Sequence, residues 1–194
     1  MFILASASPR RRELLQQIGA NFSVEESHAA EIMAGEPREI VRENAIAKAK
    51  EVYNRFKNFA VLGADTIVVT DNKILGKPKT SERAKIMLTE LAGRSHEVLT
   101  GIAWIKDGKV FSDVVATIVN FLPLTAEEID DYVNTGEPLD KAGAYAVQGR
   151  AARFIDTLNG SYSNVVGLPL AATNKLAKKA GVDMYGNNGT GLAP

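Results

Sequence analysis

A hairpin signal in the middle of the chain constrains the fold more than any other feature of the sequence. The dipeptide Asp107-Gly108 separates two segments rich in β-branched and aromatic residues, 96–106 and 109–121. Asp-Gly is favoured in two-residue hairpin turns because both positions of such a turn need positive φ angles. The sequence therefore predicts two long antiparallel strands here. A sheet that contains this pair cannot be purely parallel.

Strand and helix patterns alternate along the rest of the chain. Helix 9–18 ends at Gly19, a residue that readily takes the left-handed conformation of a helix stop, and Thr125 and Glu128 form a capping-box pattern. The other expected elements are strands at 2–5, 21–25, 60–69, 73–76 and 152–158, helices at 37–56, from a Ser81 cap to Gly93, at 126–135 and ending near Gly181, and loops at 26–36, 137–150 and 159–164. Together they predict an α/β fold with a mixed, partly antiparallel sheet flanked by helices.

The length and composition are those of one globular domain. The chain has 194 residues, of which 45% are hydrophobic and 24% are charged, and we expect a single domain over residues 1–183. Residues 184–194 are expected to be disordered or an artificial addition, because they contain Gly and Asn but little to bury. The sequence contains no internal repeat and no linker that would divide it into two domains.

Charge and residue types exclude several functional classes. Lys plus Arg balance Asp plus Glu at 23 each, whereas binding to a nucleic-acid polymer usually needs a net basic surface. The chain has no cysteine, which excludes a disulfide, a thiolate metal site and a cysteine nucleophile. No apolar run approaches the roughly 20 residues of a membrane span. We therefore expect a cytoplasmic protein that binds neither nucleic-acid polymers nor membranes.

The N-terminal segment has the residues of a polyphosphate-binding helix start. Ser8 can cap the first helix and Pro9 suits its first position, where free backbone N–H groups carry partial positive charge. Arg10, Arg11 and Arg12 add guanidinium groups that fit phosphate oxygens. They fan over roughly 200° of the helix surface, so one or two can face a ligand and the rest lie at the surface. The alternative is that all of these arginines are merely solvated.

A carboxylate interrupts the apolar strand 60–69. Burial of an unpaired Asp65 would be costly, so we expect it to be paired with a cation, hydrogen-bonded or bound to a metal. The alternative is a structural aspartate bonded to backbone N–H groups at a bend. Thr66 points to the opposite face of a regular strand, so the two side chains reach one ligand only if the strand ends or bulges there.

Three further residues have both a functional and a structural interpretation. Lys77 follows the hairpin strand 73–76, where Pro78 prevents further pairing, and it either faces a ligand or is an ordinary loop lysine. Glu31 is either a metal-binding carboxylate or a surface charge. Gln148 has a donor and an acceptor with which it can bind the edge of a pyrimidine base, or else bond to nearby backbone.

Several motifs resemble, in sequence and order, those of the Maf family of nucleoside triphosphate pyrophosphatases. They are Ser6-Ala-Ser-Pro-Arg-Arg, Gly63-Ala-Asp-Thr, Gly76-Lys-Pro, Asp140-Lys-Ala-Gly-Ala-Tyr with Gln148-Gly, and Ser161-Tyr-Ser-Asn-Val-Val-Gly-Leu-Pro. The resemblance covers the chain from about residue 2 to residue 182. It implies a fold like that of the inosine triphosphate pyrophosphatases, with two lobes around a cleft. It also implies a metal-dependent catalytic domain that forms a homodimer in many members.

The resemblance further implies a substrate and roles for individual residues. The segments that begin at Ala144 and Ser161 are similar to the branch that hydrolyses dTTP, UTP and modified pyrimidine nucleotides to the monophosphate and pyrophosphate, rather than to the branch favouring 7-methyl-GTP. By this resemblance Asp65 is the catalytic proton acceptor, and Mg²⁺ or Mn²⁺ is the cofactor, bound by Asp65 and Glu31. The resemblance also implies that Lys77 and Glu31 take part in catalysis. The residues implied to bind the substrate are Ser8, Arg10, Arg11, Lys48, Thr66 and Gln148. Of these, Arg10, Thr66 and Gln148 are implied to determine which nucleotide is bound.

Two other functions fit the same residues. One is a regulatory protein that senses nucleotides, suggested by the association of the resembled family with septum formation. The other is a pyrophosphatase for purine nucleotides such as ITP. In every case the expected ligand is a nucleoside triphosphate, so turnover and nucleotide preference separate the three hypotheses.

Overall fold

The computed structural model describes residues 1–71 and 73–186. Its helices and strands are, in chain order, β1 (Phe2–Ala5), α1 (Pro9–Gln17), β2 (Phe22–Glu25), α2 (Pro37–Arg55), β3 (Val61–Thr70), β4 (Lys73–Leu75), α3 (Ser81–Leu91), β5 (Ser95–Lys106), β6 (Lys109–Phe121), α4 (Ala126–Asn134), β7 (Ile155–Asn159), α5 (Tyr162–Val166) and α6 (Leu170–Lys179). Short 3₁₀ turns lie at Glu137–Asp140, Ala142–Ala144 and Arg150–Phe154. None of the helices in these residues is long and apolar enough to cross a membrane.

The strands form one mixed sheet, as the sequence predicted. Over the described residues the sheet has 7 strands in the order β2-β1-β3-β5-β6-β7, and β4 pairs with β3 outside this path. β1 is parallel to β2 and β3, whereas the other pairs are antiparallel. Asp107 and Gly108 have positive φ angles of 51° and 73°, which is the conformation expected of the β5–β6 turn. The predicted α/β fold with a mixed sheet flanked by helices is confirmed.

The middle of β3 has an open edge. On one side of β3, strand β5 pairs with residues 61–69. On the other side, β1 pairs only with residues 61–63 and β4 only with residues 68–70. Residues 64–67 therefore have no partner strand on that side in the part of the chain that the structure describes.

Helix α2 packs closely against one face of the sheet at two glycines. A Cβ atom at Gly63 would lie 2.2 Å from Ala45 O, and one at Gly101 would lie 2.1 Å from Val41 O. A side chain at either position would force the helix away, so glycine permits this approach. The buried faces of α2, β1 and β3 form a core on this side of the sheet. The close contact fixes the direction of the side chains that α2 presents to β3.

The opposite face of the sheet is covered by α1, α5 and α6. Trp104 is fully buried there, and its Nε1 donates a hydrogen bond to Thr173 O at 3.1 Å. A further core lies where α3 and α4 pack together. Helix α4 begins with the predicted capping box, in which Thr125 and Glu128 exchange hydrogen bonds. The helices thus enclose the sheet on both faces.

Two helix starts differ from the sequence prediction. Ser8 occupies the N-cap of α1, but its side chain makes no capping hydrogen bond; instead, its backbone N–H donates to Ser6 Oγ at 3.2 Å. Thr80 rather than Ser81 caps α3, because Ser81 is already helical, and Thr80 Oγ1 accepts from Arg83 N–H at 3.2 Å. The Ser8 hydroxyl is therefore not used for capping.

The predicted strand 152–158 starts later than expected. β6 ends at Phe121, which pairs with Ile155. No strand of the described residues pairs with the chain before Ile155, where residues Arg150–Phe154 form a 3₁₀ turn. The strand that remains, β7, is the edge of the sheet.

The predicted loop 159–164 contains the start of a short helix, α5. Ser161 caps this helix by accepting a hydrogen bond from Asn164 N–H at 3.3 Å. Gly167 follows the helix with a φ angle of 128°. A helix of one turn has too little apolar periodicity to be predicted from sequence.

The end of the described chain packs on the domain. Met184 is 2% exposed, and its carbonyl accepts a hydrogen bond from Asn21 N–H at 2.8 Å. Residues 187–194, which form most of the predicted tail, lie outside the described residues. The proposed boundary between domain and tail stays a prediction.

Candidate active site

A cavity of about 590 Å³ opens at the unpaired edge of β3. Its walls come from α1, α2, β3, β4, α5 and the segments 31–33 and 141–148. The structure brings together at this cavity every residue that the sequence predicted for the site, namely Ser8, Arg10, Arg11, Glu31, Lys48, Asp65, Thr66, Lys77 and Gln148.

Asp65 is buried in the cavity wall and bound by two side chains of α2. Its Oδ1 accepts a hydrogen bond from Lys48 Nζ at 2.7 Å, and its Oδ2 accepts one from Asn44 Nδ2 at 3.0 Å. The residue is only 7% exposed. The ammonium and the amide offset the cost of burying the carboxylate. The expectation of a paired Asp65 is therefore confirmed, whereas the alternative of bonds to backbone N–H groups is wrong.

Lys48 links two carboxylates. Besides Asp65, its Nζ contacts Glu31 Oε1 at 2.6 Å. The Glu31 side chain is 48% exposed and that of Lys48 is 13% exposed. Because charge attraction is weaker in contact with bulk water, the Lys48–Asp65 pair is the stronger contact. Glu31 is partly solvated and also lines the cavity. Its position is therefore compatible with both interpretations from the sequence, a surface charge and a metal-binding carboxylate.

Thr66 and Arg11 meet on the other face of β3. Arg11 Nη2 donates to Thr66 Oγ1 at 3.1 Å, and Arg11 Nε donates to Gly167 O at 2.8 Å. A further bond joins Arg11 Nη1 to Ser6 Oγ at 3.1 Å. Burial lowers the pKa of Arg11, although the nearby charge of Asp65 opposes this effect, and the guanidinium stays protonated at neutral pH. Arg11 is thus a positive charge held in one orientation.

Asp65 and Thr66 reach the same cavity from opposite faces of a regular strand. β3 keeps an uninterrupted register with β5 through both residues, so the strand neither ends nor bulges there. The neighbouring strand ends instead, because β1 pairs no further than Gly63. Side chains from both faces of β3 therefore meet around its open edge.

The consecutive arginines of α1 take different positions. Arg10 and Arg11 line the cavity, and Arg10 Nε donates to Val166 O at 3.3 Å. Burial lowers the pKa of Arg10, against the opposing charge of Asp140. Arg12 is exposed and does not line the cavity. This arrangement agrees with the predicted fan of the arginines around the helix.

A smaller, mostly polar cavity of about 360 Å³ adjoins the first. The residues that line both cavities are Ser8, Arg10, Arg11, Glu31, Lys48 and Lys77. Lys77 is exposed, and no carboxylate of the described residues lies within ion-pair distance of it. The two cavities therefore form one elongated site with cationic groups at their junction.

The larger cavity has an apolar part beside these charges. The side chains that form it include Ile67, Val68, Ile74, Val98, Tyr145 and Val147. The Tyr145 hydroxyl is hydrogen-bonded to the buried His96 Nε2 at 2.8 Å, so Tyr145 contributes ring surface to the wall. Gln148 is exposed at the same wall. An apolar pocket with an amide at its edge suits a flat, polar-edged ring.

The segment that carries Gln148 is anchored by Tyr132 and Glu137. The Tyr132 hydroxyl donates to Glu137 Oε1 at 2.8 Å and accepts from Ala146 N–H at 3.2 Å. Glu137 also accepts from Arg150 N–H at 3.1 Å. Burial raises the pKa of Tyr132 well above its usual value, and Glu137 adds to this rise, so the hydroxyl stays protonated. The predicted loop 137–150 is therefore a set of 3₁₀ turns fixed by side chains.

Two carboxylates of the site could contribute to a metal site, Asp65 and Glu31. Both contact the ammonium of Lys48. In the described part of the chain, no group of 3 or more His, Cys, Asp or Glu side chains is placed to hold a metal ion. Mg²⁺ in proteins often binds one or two carboxylates and takes its other oxygens from water and substrate phosphates. The pair fits such a partial set of ligands.

Asn44 belongs to the site but was not predicted from the sequence. It is 2% exposed and directly contacts Asp65. It lies one helical turn before Lys48, between the buried residues Val41 and Ala45 of α2. A polar side chain within the apolar stripe of a helix is the signal that could have revealed it.

The protein is an α/β domain in which a buried carboxylate and several cationic side chains line one cavity. This arrangement is expected of an enzyme that acts on a phosphorylated ligand. The chain belongs to the Maf family, since the family described as Maf-like protein matches residues 1–180.

Relatives with nearly the same length carry one functional name. A protein of Symbiobacterium thermophilum named dTTP/UTP pyrophosphatase is 48% identical over 185 residues, covering 94% of this chain and 95% of its own. A protein of Thermococcus onnurineus with the same name is 49% identical and covers 91% of this chain and 96% of its own. A third, from Dictyoglomus thermophilum, is 42% identical and covers 94% and 97%.

Proposed function

We propose that the protein hydrolyses dTTP and UTP, and modified pyrimidine nucleotides of the same type, to the nucleoside monophosphate and pyrophosphate. The observation that carries this proposal is that Asp65 lies in one cavity with the charged groups of Arg10, Arg11, Lys48 and Lys77. A polyphosphate requires the cations, and an attacking water requires the carboxylate. The common name of the relatives supports the choice of nucleotide.

The triphosphate occupies the junction of the two cavities in this proposal. Arg11 uses its Nε, Nη1 and Nη2 atoms for bonds within the protein, yet a guanidinium has five N–H donors, so donors remain for phosphate oxygens. Lys77 adds an ammonium without a carboxylate partner among the described residues. Ser8, whose side chain makes no capping hydrogen bond in α1, lines both cavities. Together these groups offset the charge that develops on the leaving pyrophosphate.

Asp65 accepts the proton of the attacking water. The water oxygen forms a bond to the α-phosphorus, and the bond from this phosphorus to the bridging oxygen breaks. Pyrophosphate leaves with the electron pair of that bond, and the proton of the water passes to the Asp65 carboxylate. The hydrogen bonds from Lys48 and Asn44 hold this carboxylate in the cavity wall.

Mg²⁺ or Mn²⁺ is the proposed cofactor, with Asp65 and Glu31 as its protein ligands. When bound, such a cation would neutralise part of the charge on the phosphate oxygens. Lys48 holds the two carboxylates within reach of one ammonium. Their shared partner supports the proposal that one cation can interact with both.

Arg10, Thr66 and Gln148 are the residues proposed to select the nucleotide. Thr66 and Gln148 lie in the wall of the larger cavity, which contains the apolar part. The amide of Gln148 offers an acceptor and donors, and the edge of uracil or thymine offers a donor beside an acceptor. A ring held against Tyr145 and Val147 would present that edge to Gln148.

The proposal also covers the shape, assembly and location of the protein. We propose the two-lobed cleft of the inosine triphosphate pyrophosphatases, a homodimer and a cytoplasmic location. The cleft is supported by the position of the larger cavity between α2 and the segment 141–148. The homodimer rests on the resemblance of the motifs to those of the Maf family. The cytoplasmic location rests on the sequence, in which no apolar run approaches the length of a membrane span.

Incubation of the purified protein with dTTP, UTP, CTP, ITP and 7-methyl-GTP tests the function. With Mg²⁺ or Mn²⁺ present, we expect pyrophosphate rather than orthophosphate, released mainly from dTTP and UTP. Release mainly from ITP would keep the reaction but overturn the preference for pyrimidines. Tight binding of nucleotide without any product would instead support a nucleotide sensor.

A further inference from the structure

The amide of Asn44 connects helix α2 to the segment before it and to strand β3. Its Oδ1 accepts a hydrogen bond from Ile32 N–H at 2.8 Å, and its Nδ2 donates to Ile32 O at 3.0 Å. The same Nδ2 donates to Asp65 Oδ2 at 3.0 Å. Asn44 thus binds the backbone of the segment before α2 and the carboxylate of β3 at the same time.

The orientation of this amide is fixed by its partners. Both N–H groups of Nδ2 face acceptors, Ile32 O and Asp65 Oδ2, while Oδ1 faces a backbone donor. A rotated amide would place its oxygen against two acceptors and its nitrogen against a donor. Because Asn44 is buried, an unmade hydrogen bond there would be costly.

This amide holds the middle of the segment 26–36. The start of the segment is held separately, because His28 N–H donates to Glu51 Oε2 at 3.2 Å and Arg55 Nη2 donates to Glu26 O at 2.6 Å. The segment contains no helix or strand, and the residues Ile32 and Met33 are 47% and 63% exposed, so apolar burial contributes little to holding it. Glu31 precedes Ile32 directly, and its carboxylate contacts Lys48. The hydrogen bonds from the Asn44 amide to the Ile32 backbone therefore fix the backbone position from which the Glu31 side chain extends.

We propose that Asn44 is a positioning residue for the reaction, because it holds Asp65 and Glu31 on either side of Lys48. Asn44 and Lys48 lie one turn apart on α2, and both donate to the Asp65 carboxylate. The helix thus orients the carboxylate through two donors and places Glu31 through the backbone of Ile32. This proposal rests on the proposed role of Asp65, although Asn44 itself need not touch the substrate.

The variants Asn44→Leu and Asn44→Ala test the proposal. Leucine keeps the approximate volume without any hydrogen bond, and alanine provides a second variant should leucine not fit. We expect kcat for dTTP to fall about 10- to 100-fold, since displacement of a catalytic group by about 1 Å has effects of this size. KM should change less than about threefold, because the phosphate-binding cations are untouched. Exchange of the Ile32 amide hydrogen should become faster in both variants.

Val52→Ala is the matched control for a loss of stability alone. Val52 is fully buried on the same helix, and it does not line either cavity. We expect this variant to lower the unfolding temperature while kcat stays close to the wild-type value. If the Asn44 variants also lose only stability and keep kcat, Asn44 has a merely structural role and the proposal is wrong.

A double-mutant cycle with Glu31→Gln tests the connection to Glu31. If Asn44 acts partly by placing Glu31, the fold-loss in kcat caused by Asn44→Leu should be smaller in the Glu31→Gln background than in the wild type. Equal losses in the two backgrounds would overturn this part of the proposal. Wild-type turnover of dTTP is measured first: its absence would contradict the proposed function itself, whereas an unchanged kcat in the Asn44 variants would contradict only the positioning role.

Discussion

Asp65 and Thr66 are adjacent in β3 and point to opposite faces of the sheet, yet both line one cavity because β1 ends before it reaches them. Asp65 is held by Lys48 and Asn44 of α2, whereas Thr66 is held by Arg11 of α1. The proposed base and a proposed selectivity residue therefore sit on one strand, while different helices orient them.

Removal of the Lys77 ammonium should weaken substrate binding. In Lys77→Ala we expect KM for dTTP to rise at least about tenfold, because no carboxylate of the described residues competes with the triphosphate for this cation. The rise should shrink at high ionic strength, where exposed charges are screened. Steady-state kinetics at low and high salt measure both effects.

Arg12→Ala is the control for Lys77→Ala. It removes one positive charge from the same region, but Arg12 is exposed and lines neither cavity. KM for dTTP should stay within about twofold of the wild-type value. Equal effects of the two substitutions would show that general charge, rather than the position of Lys77, controls binding.

Loss of the Tyr132 hydroxyl should loosen the segment that carries Gln148. Tyr132→Phe removes the donor to Glu137 and the acceptor of Ala146 N–H. We expect KM for dTTP to rise several-fold with a smaller change in kcat, since the affected wall binds the base rather than the reacting phosphorus.

Inhibition by inorganic tripolyphosphate separates binding of the base from binding of the phosphates. This inhibitor has no base, so Tyr132→Phe should leave its inhibition constant unchanged while KM for dTTP rises. A parallel loss of affinity for both compounds would mean that the substitution disturbs the whole site and would contradict the assignment of this wall to the base.

The stability of the protein should decrease as the pH falls from 7 toward 4. Burial lowers the pKa of His96 from 6.5 to about 4. Between these values the unfolded chain binds a proton at His96 and the folded chain does not, so the free energy of unfolding falls with pH. The contribution reaches about 3 kcal/mol at the low end, at about 1.4 kcal/mol for each pH unit.

Urea unfolding followed by the fluorescence of Trp104, which is buried and is the single tryptophan of the chain, measures this dependence. In His96→Gln the part of the slope due to His96 should vanish, so the difference between wild type and variant should change with pH. A constant difference from pH 7 to 4 would show that His96 is not the titrating group.

Local features of the fold were predictable because neighbouring residues determine them. The positive φ angles of Asp107 and Gly108 and the capping box at Thr125 need only a few consecutive residues. By contrast, Ser8 has the residue type and place of a cap without making the capping hydrogen bond. The hydrogen bonding of a single side chain depends on its surroundings in three dimensions.

Most residues of the site could be chosen from the sequence by the resemblance of the chain to a known family, but Asn44 was missed and the contacts among the residues were not predictable. The open edge of β3 depends on where β1 and β4 end along a strand that is distant in sequence. The contact of Asn44 with Asp65 depends on the close packing of α2 against Gly63 and Gly101. Such contacts follow from the register of whole elements rather than from local patterns.

Pyrophosphate release from dTTP by wild type and Asp65→Asn, measured side by side, tests the central claim most directly. Asparagine keeps the size of the side chain but cannot accept the proton of the attacking water. We expect kcat to fall about 10²- to 10⁴-fold, with the fold retained by circular dichroism and thermal unfolding. A folded variant that keeps more than about a tenth of the wild-type kcat would contradict the role of Asp65 as the proton acceptor.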